Sequence, residues 1–265
     1  MDGISLRKDE DSHVAEIVLD RPEAMNAIST GLAVRLAEVC ALVAVDQEVR
    51  AVVLSAEGER AFCVGADLKE RNRMSDAGIG RQRPVFRRAF DGIRALPQPT
   101  VAAVYGYALG GGCELALSCD LIVADETAVF GLPETTVGLV PGGGGTQLAL
   151  RKLGPGRAKD LVLTGRRVDA AEAYRIGLAD RLVPAGRARV AATELAGLTA
   201  RNSPVAVQAA KNAINSGSGT GLTAGLDIED AAWRTAAFSA DRKEGIAAFN
   251  QKRAPQWPAN LGPAH

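Results

Sequence analysis

The groups able to do chemistry in this chain are carboxylates and backbone amides. Its two histidines, His13 and His265, lie near opposite termini, which argues against a histidine-ligated metal site and against a Ser-His-Asp triad. The cysteines, Cys40, Cys63, Cys113 and Cys119, form no CxxC pair. A chain of 265 residues needs no disulfide framework, so they read as reduced thiols of an intracellular protein. What amides offer is anion binding, and glycine-rich turns are where to look for it. GxGxxG is absent, the 142–145 tetraglycine runs into Thr146-Gln147, and no GK[ST] occurs, which weakens dinucleotide and kinase readings.

One glycine run remains. Gly110-Gly111-Gly112 stands at a strand-to-helix junction, just ahead of Cys113 and Glu114. The first amides of a helix lack intrahelical acceptors and carry partial positive charge, and glycines let a ligand oxygen come close. The junction suits an anion or a developing oxyanion; three glycines would equally permit tight strand–helix packing. A second loop, Cys63-Val64-Gly65-Ala66-Asp67-Leu68, follows another strand. Its Ala66 N–H could donate into the same site, while Asp67 caps the next turn. Glu114 in a first helical turn could simply complement the dipole, and Glu134, behind Pro133, could be a first-turn residue or a surface charge.

The elements around these residues read as α/β. VAEIVL (14–19), AVVLSA (51–56) and TVAAVYGYA (100–108) are strands, and LIVADETAVFGL (121–132) is strand-like with a turn at its middle. Residues 30–45, 84–95 and 110–120 carry helical spacing. Beyond Pro141 the pattern is Ala/Leu-rich and helical, over 145–153, 155–163, 169–176, 187–201, 203–215, 222–239 and 241–252. The expected division is a catalytic core over 1–200 and a helical region over 201–265, with SGSGTG (216–221) as a loop between two helices. No tandem repeat or low-complexity tract interrupts it.

Composition bounds the partners. With 31 basic and 31 acidic residues the formal net charge is zero, so no global field gathers nucleic acid or an anionic membrane. A local excess, Arg71, Arg73, Arg81, Arg83, Arg87 and Arg88, is either a solvated helix face or an arginine rim that meets phosphates. The N-terminus MDGISLRKDEDS is charged and without an apolar run, unlike a signal peptide, and no apolar stretch is long enough to span a bilayer. A soluble, cytoplasmic protein is expected.

Taken together, RPEAMNAI (21–28), FCVGADL (62–68), AAVYGYALGGGCELALSCDLIVA (102–124), FGLPETTVGLVPGGGGTQ (130–147), LTGRRVDAAEAYRIGLADRLV (163–183) and EGIAAFNQKRAPQW (244–257) resemble, in order, the crotonase (enoyl-CoA hydratase/isomerase) superfamily. The resemblance implies a spiral of ββα turns followed by an all-helical trimerisation region, and a homo-oligomer that is a trimer or a dimer of trimers. It implies an oxyanion hole made of the amides of Ala66 and Gly111, holding the thioester oxygen of an acyl-CoA. It assigns the acid/base pair to Glu114 and Glu134: both hold the water, Glu114 assists its attack, and Glu134 supplies the proton to the α carbon. Gly142 resembles the position whose amide helps place the water. Ala24, Met25, Ala27, Ala66, Asp67, Leu68 and Lys69 resemble the strips along the pantetheine and adenine, and Lys252 a basic position near the nucleotide. No metal and no cofactor are implied, coenzyme A being part of the substrate.

Two departures stand out. Cys63 occupies a place where the family often has Ser or Ala, and Tyr105 one where it often has Asn or Arg. Neither touches the implied chemistry. The implied reaction is hydration of a 2-enoyl-CoA. The alternatives are a Δ3,Δ2-enoyl-CoA isomerase, which needs one working carboxylate, a methylglutaconyl-CoA hydratase, and a non-catalytic acyl-CoA binder. RNA binding, known among methylglutaconyl-CoA hydratase relatives with a lysine-rich helix, finds no such cluster here.

Overall fold

The computed structural model describes residues 3–258. An antiparallel hairpin, β1 (Ile4–Asp9) and β2 (Val14–Leu19), opens the chain and leads into α1 (Thr30–Ala44). The Ser29 hydroxyl caps that helix by accepting from the Leu32 N–H. Three similar turns follow. The first holds β3 (Ala51–Ala56), β4 (Ala61–Cys63), the short α2 (Leu68–Arg71) and α3 (Asp76–Arg94). The second holds β5 (Thr100–Val104), β6 (Tyr107–Leu109) and α4 (Gly111–Leu117); the third holds β7 (Leu121–Asp125) and β8 (Val129–Gly131), then α5 (Gly145–Leu153) and α6 (Pro155–Thr164). The remainder is β9 (Arg167–Asp169), α7 (Ala170–Ile176), β10 (Arg181–Val183), α8 (Ala188–Ala200), α9 (Pro204–Gly217), α10 (Leu222–Ala237) and α11 (Ala240–Asn250).

Each turn gives one strand to each of two sheets, and this makes the spiral. The larger sheet runs β1-β2-β3-β5-β7-β10 and the smaller β4-β6-β8-β9. From β2 to β10 the larger sheet is parallel, and it is covered on both faces, as such sheets require. Val52, Leu54, Ala102 and Val104 point into the main core with α1 and α3. Their neighbours Ala51, Val53, Val101 and Ala103 face the other way, onto Ala188, Ala192, Leu195 and Ala196 of α8. The strand period of two explains why AVVLSA and TVAAV read as unbroken apolar runs.

The structure corrects several sequence expectations. TVAAVYGYA is not one strand: it breaks at Gly106, which takes φ +52° and sends β5 and β6 to different sheets. A methyl group on Gly106 would lie 2.3 Å from the Arg60 carbonyl oxygen, so only glycine passes that crossing. The helix expected over 84–95 begins earlier, at Asp76, where the Ser75 hydroxyl accepts from Gly78 N–H, and Pro84 sits inside it. The second half is not purely helical, since β9 and β10 add themselves to the edges of sheets built by the first half. Three-residue strands carry too short a pattern to be read from periodicity. The first helix of the C-terminal region runs through Ser216 to Gly217, two residues into the expected loop.

Among the described glycines, Gly112 leaves the least room for a side chain. A methyl group there would stand 1.9 Å from the Cys63 carbonyl oxygen, so α4 rests directly on the end of β4. Gly112→Ala is expected to lower stability by about 3 kcal/mol, at the upper end of core overpacking, and the melting temperature by roughly 6–12 °C. Thermal unfolding followed by circular dichroism measures this; an unchanged melting temperature would refute the packing described.

Candidate active site

Three loops converge because three parallel strands of the smaller sheet end side by side. β4 pairs with β6 and β6 with β8, all parallel, so their C-terminal ends lie at one edge. Ligand sites of parallel sheets form at such edges. After β4 comes Gly65-Ala66, after β6 comes Gly110-Gly111, and after β8 comes the short 3-10 helix Pro133–Val137 with Glu134 in its first turn.

The first two loops touch. Gly65 takes φ +91°, and a methyl group on it would lie 3.0 Å from the Leu109 carbonyl oxygen and 3.1 Å from the Gly111 nitrogen. Ile28 forms a parallel bridge with Ala66. The bridge uses the Gly65 carbonyl, which accepts from Ile28 N–H, and the Asp67 N–H, which donates to the Ile28 carbonyl. It therefore leaves the Ala66 N–H between them unused. Gly111 opens α4, so its N–H has no acceptor within the helix. Two donors thus stand next to each other at the junction, the arrangement an oxyanion needs.

Glu114 lies on the first turn of α4 and is 3% exposed. Its Oε1 accepts two hydrogen bonds from the 141–145 loop, from Gly143 N–H at 2.7 Å and Gly145 N–H at 2.7 Å. Burial raises its pKa, and these amides oppose the rise. The loop fits because it is glycine: a methyl group on Gly145 would meet Glu114 Oε1 at 3.0 Å, and one on Gly143 would enter the Phe90 ring at 2.6 Å. Two arginines of α3 hold the loop from outside. Arg83 Nη1 donates to the Gly142 carbonyl at 2.6 Å, and Arg94 Nη1 donates to the Gly143 carbonyl at 2.8 Å and to Ser118 Oγ at 3.1 Å. Ser118 in turn donates to the Glu114 carbonyl.

Glu134 has the opposite surroundings. Its carboxyl rests against Gly110, where a methyl group would lie 3.1 Å from Oε1, and Gly110 takes φ +52° to make that approach. Its Oε2 is buried without a hydrogen-bond partner among the described residues. Burial pushes its pKa up to about 7, and the charge of Glu114 pushes the same way. Two carboxyls close enough to sense each other therefore have unequal surroundings: the Gly143 and Gly145 N–H groups favour the anion at Glu114, while at Glu134 only its own backbone N–H does so and burial outweighs it. Unequal surroundings of this kind let two neighbouring carboxyls take different protonation states.

The sequence-predicted positions separate into those the fold gathers and those it does not. Ala66, Gly111, Glu114, Glu134 and the loop of Gly142 are gathered. Ala24, Met25 and Ala27 lie beside 64–69: the Met25 carbonyl accepts from Val64 N–H, and Arg21 bridges the Ala27 carbonyl to Asp67. Asp67 caps α2 by accepting from the Lys69 and Glu70 N–H groups, and Leu68 is exposed. Lys252 sits in the turn after α11, a helix that packs on α9 and α10 rather than on the site strands. Burial pushes the Cys63 thiol up to about 12, which leaves it inert. Sequence reasoning passed over Gly143 and Gly145 as carboxylate donors, and Arg83 and Arg94 as their anchors. The tetraglycine was the available signal, weighed as a phosphate loop and, at Gly142 alone, as a water-positioning amide.

Comparison of the whole chain with known proteins identifies its family. The family model for enoyl-CoA hydratase/isomerase matches residues 9–260, and the chain belongs to that family. YngF of Bacillus subtilis, named as an enoyl-CoA hydratase/isomerase, is 44% identical over 244 residues, covering 92% of this chain and 94% of its own. The human mitochondrial enoyl-CoA hydratase domain-containing protein 2 is 41% identical over 251 residues, 93% of this chain and 86% of that protein. The crystal structure of an enoyl-CoA hydratase from Bacillus anthracis superposes with a TM-score of 0.94 at 40% identity, covering 97% of this chain and all of that one. The fold is thus the crotonase fold with its C-terminal helical region.

The raised pKa of Glu134 has a stability consequence. A carboxyl whose folded pKa, about 7, exceeds its ordinary 4.5 stabilises the fold least once the pH has risen past the folded value, because only the unfolded chain can ionise freely in between. Glu134→Gln is therefore expected to be more stable than the parent at about pH 8, by about 2 kcal/mol after allowance for partial exposure, with the gain vanishing near about pH 4. Urea unfolding at both pH values checks this; an equal effect at both would refute the assigned environment.

Proposed function

We propose that this chain is a hydratase that adds water across the 2,3 double bond of a 2-enoyl-CoA thioester. The observation that carries the reading is the unequal pair beside two free amides: Glu114 Oε1 held by Gly143 and Gly145, Glu134 Oε2 buried without a partner among the described residues. The thioester oxygen accepts from the Ala66 and Gly111 N–H groups, which stabilise the enolate that forms as the β carbon is attacked. Glu114, acting as the base, takes a proton from the water whose oxygen bonds to the β carbon. Glu134, the neutral member, gives its proton to the α carbon. The product carries one hydroxyl and one new C–H, and the pair is reset when the proton returns from Glu114 to Glu134 through the next water. Gly142 helps place the water from the loop that anchors Glu114. The pantetheine and adenine run along 24–27 and 66–69, and no cofactor beyond the substrate takes part.

The same proposal includes a homo-oligomer, a trimer or a dimer of trimers. It is supported by the C-terminal helices: α10 buries none of its residues and α9 only Pro204, while Trp233, Phe238, Ile246 and Phe249 are largely exposed. Apolar surface of that extent on adjoining helices is characteristic of an interface. Lys252 lies at the end of this layer and would meet a nucleotide only in the assembly. A cytoplasmic location completes the reading; no helix among the described residues is long and apolar enough to cross a membrane.

Hydration of enoyl-CoA thioesters of differing length and branching, followed by loss of the conjugated absorbance, tests the reaction. Glu134→Gln and Glu114→Gln should each lose at least about two orders of magnitude in rate, with Glu134→Gln still binding acyl-CoA. Full activity in Glu134→Gln removes that residue from the mechanism, and double-bond migration without hydration in the parent enzyme moves the assignment to an isomerase. Sedimentation equilibrium should give three or six times the chain mass; a monomer at micromolar concentration would refute the assembly.

A further inference from the structure

The 141–145 loop has an inner and an outer side, and the same peptide units are bonded on both. On the inner side, the Gly143 and Gly145 N–H groups donate to Glu114 Oε1, each at 2.7 Å, and the Gly144 N–H also favours the anion there. On the outer side, the carbonyl of each of those three peptide units accepts from a donor. The Gly142 carbonyl, which shares its peptide unit with the Gly143 N–H, accepts from Arg83 Nη1 at 2.6 Å. The Gly143 carbonyl, joined to the Gly144 N–H, accepts from Arg94 Nη1 at 2.8 Å. The Gly144 carbonyl, joined to the Gly145 N–H, accepts from the Gln147 and Leu148 N–H groups in the first turn of α5, at 2.9 and 2.8 Å.

The four glycines make both sides reachable at once. Methyl groups on Gly142 and Gly144 would lie 3.1 Å from Arg83 Nη1 and 3.3 Å from Arg94 Nη1, while those on Gly143 and Gly145 would run into Phe90 and Glu114. A donor on a carbonyl polarises its peptide and strengthens the bond made by the N–H at the other end, by roughly 10–30% per bond along such a chain. Positive charge outside the loop therefore reaches the carboxylate through the amides, without contact between guanidinium and carboxyl. Arg94 has a second grip, since its Nη1 also donates to Ser118 Oγ, whose hydroxyl donates to the Glu114 carbonyl. The two arginines differ in net charge. Arg94 is paired with Asp91, whereas Arg83 has no carboxylate at ion-pair distance among the described residues.

We propose that Arg83 and Arg94 are positioning residues for Glu114, which polarise the peptide units that hold its carboxylate and so keep it ionised. This rests on the acid/base reading above and adds two residues to it. The other ionisable groups around Glu114 do not duplicate the part. Arg71, from α2, senses the Glu114 charge, but its guanidinium is bonded to Gln82 and not to the loop. Glu134, from the 3-10 helix after β8, disfavours a second negative charge beside it. Cys113, on α4 itself, is a thiol that burial keeps neutral. Removing Arg83 leaves burial less opposed, so the Glu114 carboxyl holds its proton to a higher pH.

Infrared difference spectra recorded across a pH titration read this without turnover, the Glu114 band being assigned by its loss in Glu114→Gln. Arg83→Met should raise the Glu114 midpoint by about one pH unit, the lower end of what a nearby opposite charge does to a carboxyl. Arg94→Met should raise it by less, because Asp91 already offsets that charge. Arg83→Lys retains a cation that can reach the Gly142 carbonyl and should restore the parent midpoint. The acid limb of kcat/KM for hydration should move with the midpoint, since the base acts only when ionised. Arg83 is exposed, so its variants keep the test open if Arg94→Met fails to fold. An unmoved midpoint in Arg83→Met overturns the proposal even if the rate falls, and leaves the arginine a mere anchor. A midpoint in Arg83→Lys as high as in Arg83→Met overturns it too. If the midpoint shifts as expected but the parent hydrates no enoyl-CoA, the hydratase reading fails and the relay through the peptides stands.

Discussion

A buried carboxylate must find donors, and at Glu114 they come from the backbone of a loop that would otherwise have no fixed shape. An uncompensated charge in that position would cost several kcal/mol. The two amides that remove the cost also fix the conformation of 141–145, and that loop can adopt it only because Gly143 and Gly145 carry no side chain. The requirement then spreads outward. Arg83 and Arg94 secure the loop carbonyls, Phe90 fills the space against Gly143, and α3 must run where it can supply all three. The helix that looks like a cover over the core is therefore part of what shapes the candidate site.

The second carboxyl gains its character from what the first one takes. Both sit where water is scarce, yet the loop amides go to Glu114 and one Glu134 oxygen is left without a partner, so burial pushes the Glu134 pKa up to about 7. Burial, backbone amides and the Arg83 charge tune these groups, and no histidine takes part in the candidate site among the described residues. The spiral makes this possible: each turn delivers one strand end to the same edge, and the three strand ends supply one amide, another amide and one acid. Gly112, packed on the Cys63 carbonyl, sets the spacing between the first two.

Much of this was legible in the residues, and the reasons for the remainder are physical. The Gly110-Gly111-Gly112 junction could be read as an anion site because helix starts and glycines impose it locally. Glu114 and Glu134 could not be paired from spacing, since their proximity depends on two strands of the smaller sheet lying parallel. Resemblance supplied that link. The strand at 100–108 was read as one element because apolar pattern does not record which sheet a residue enters; Gly106 decides it through a contact with Arg60 that is distant in sequence. Gly143 and Gly145 could not be read as donors because their partner, Glu114, is reached only in three dimensions. β9 and β10 escaped notice since three residues form no pattern, and their pairing is dictated by the edges they complete.

The division of labour between α8 and the larger sheet bears on how the chain is made in the cell. Val53, Val101 and Val123 lie on the sheet face that α8 covers, and α8 begins only at Ala188. At ordinary ribosomal speed the interval between synthesis of β3 and of α8 is on the order of ten seconds. For that time the nascent polypeptide presents a ridge of valines with nothing lying over it, which is the kind of surface that holding chaperones engage. The order of elements along the gene thus makes early folding incomplete by design of the topology, and makes the arrival of a single alanine-rich helix the event that ends the chain's exposure.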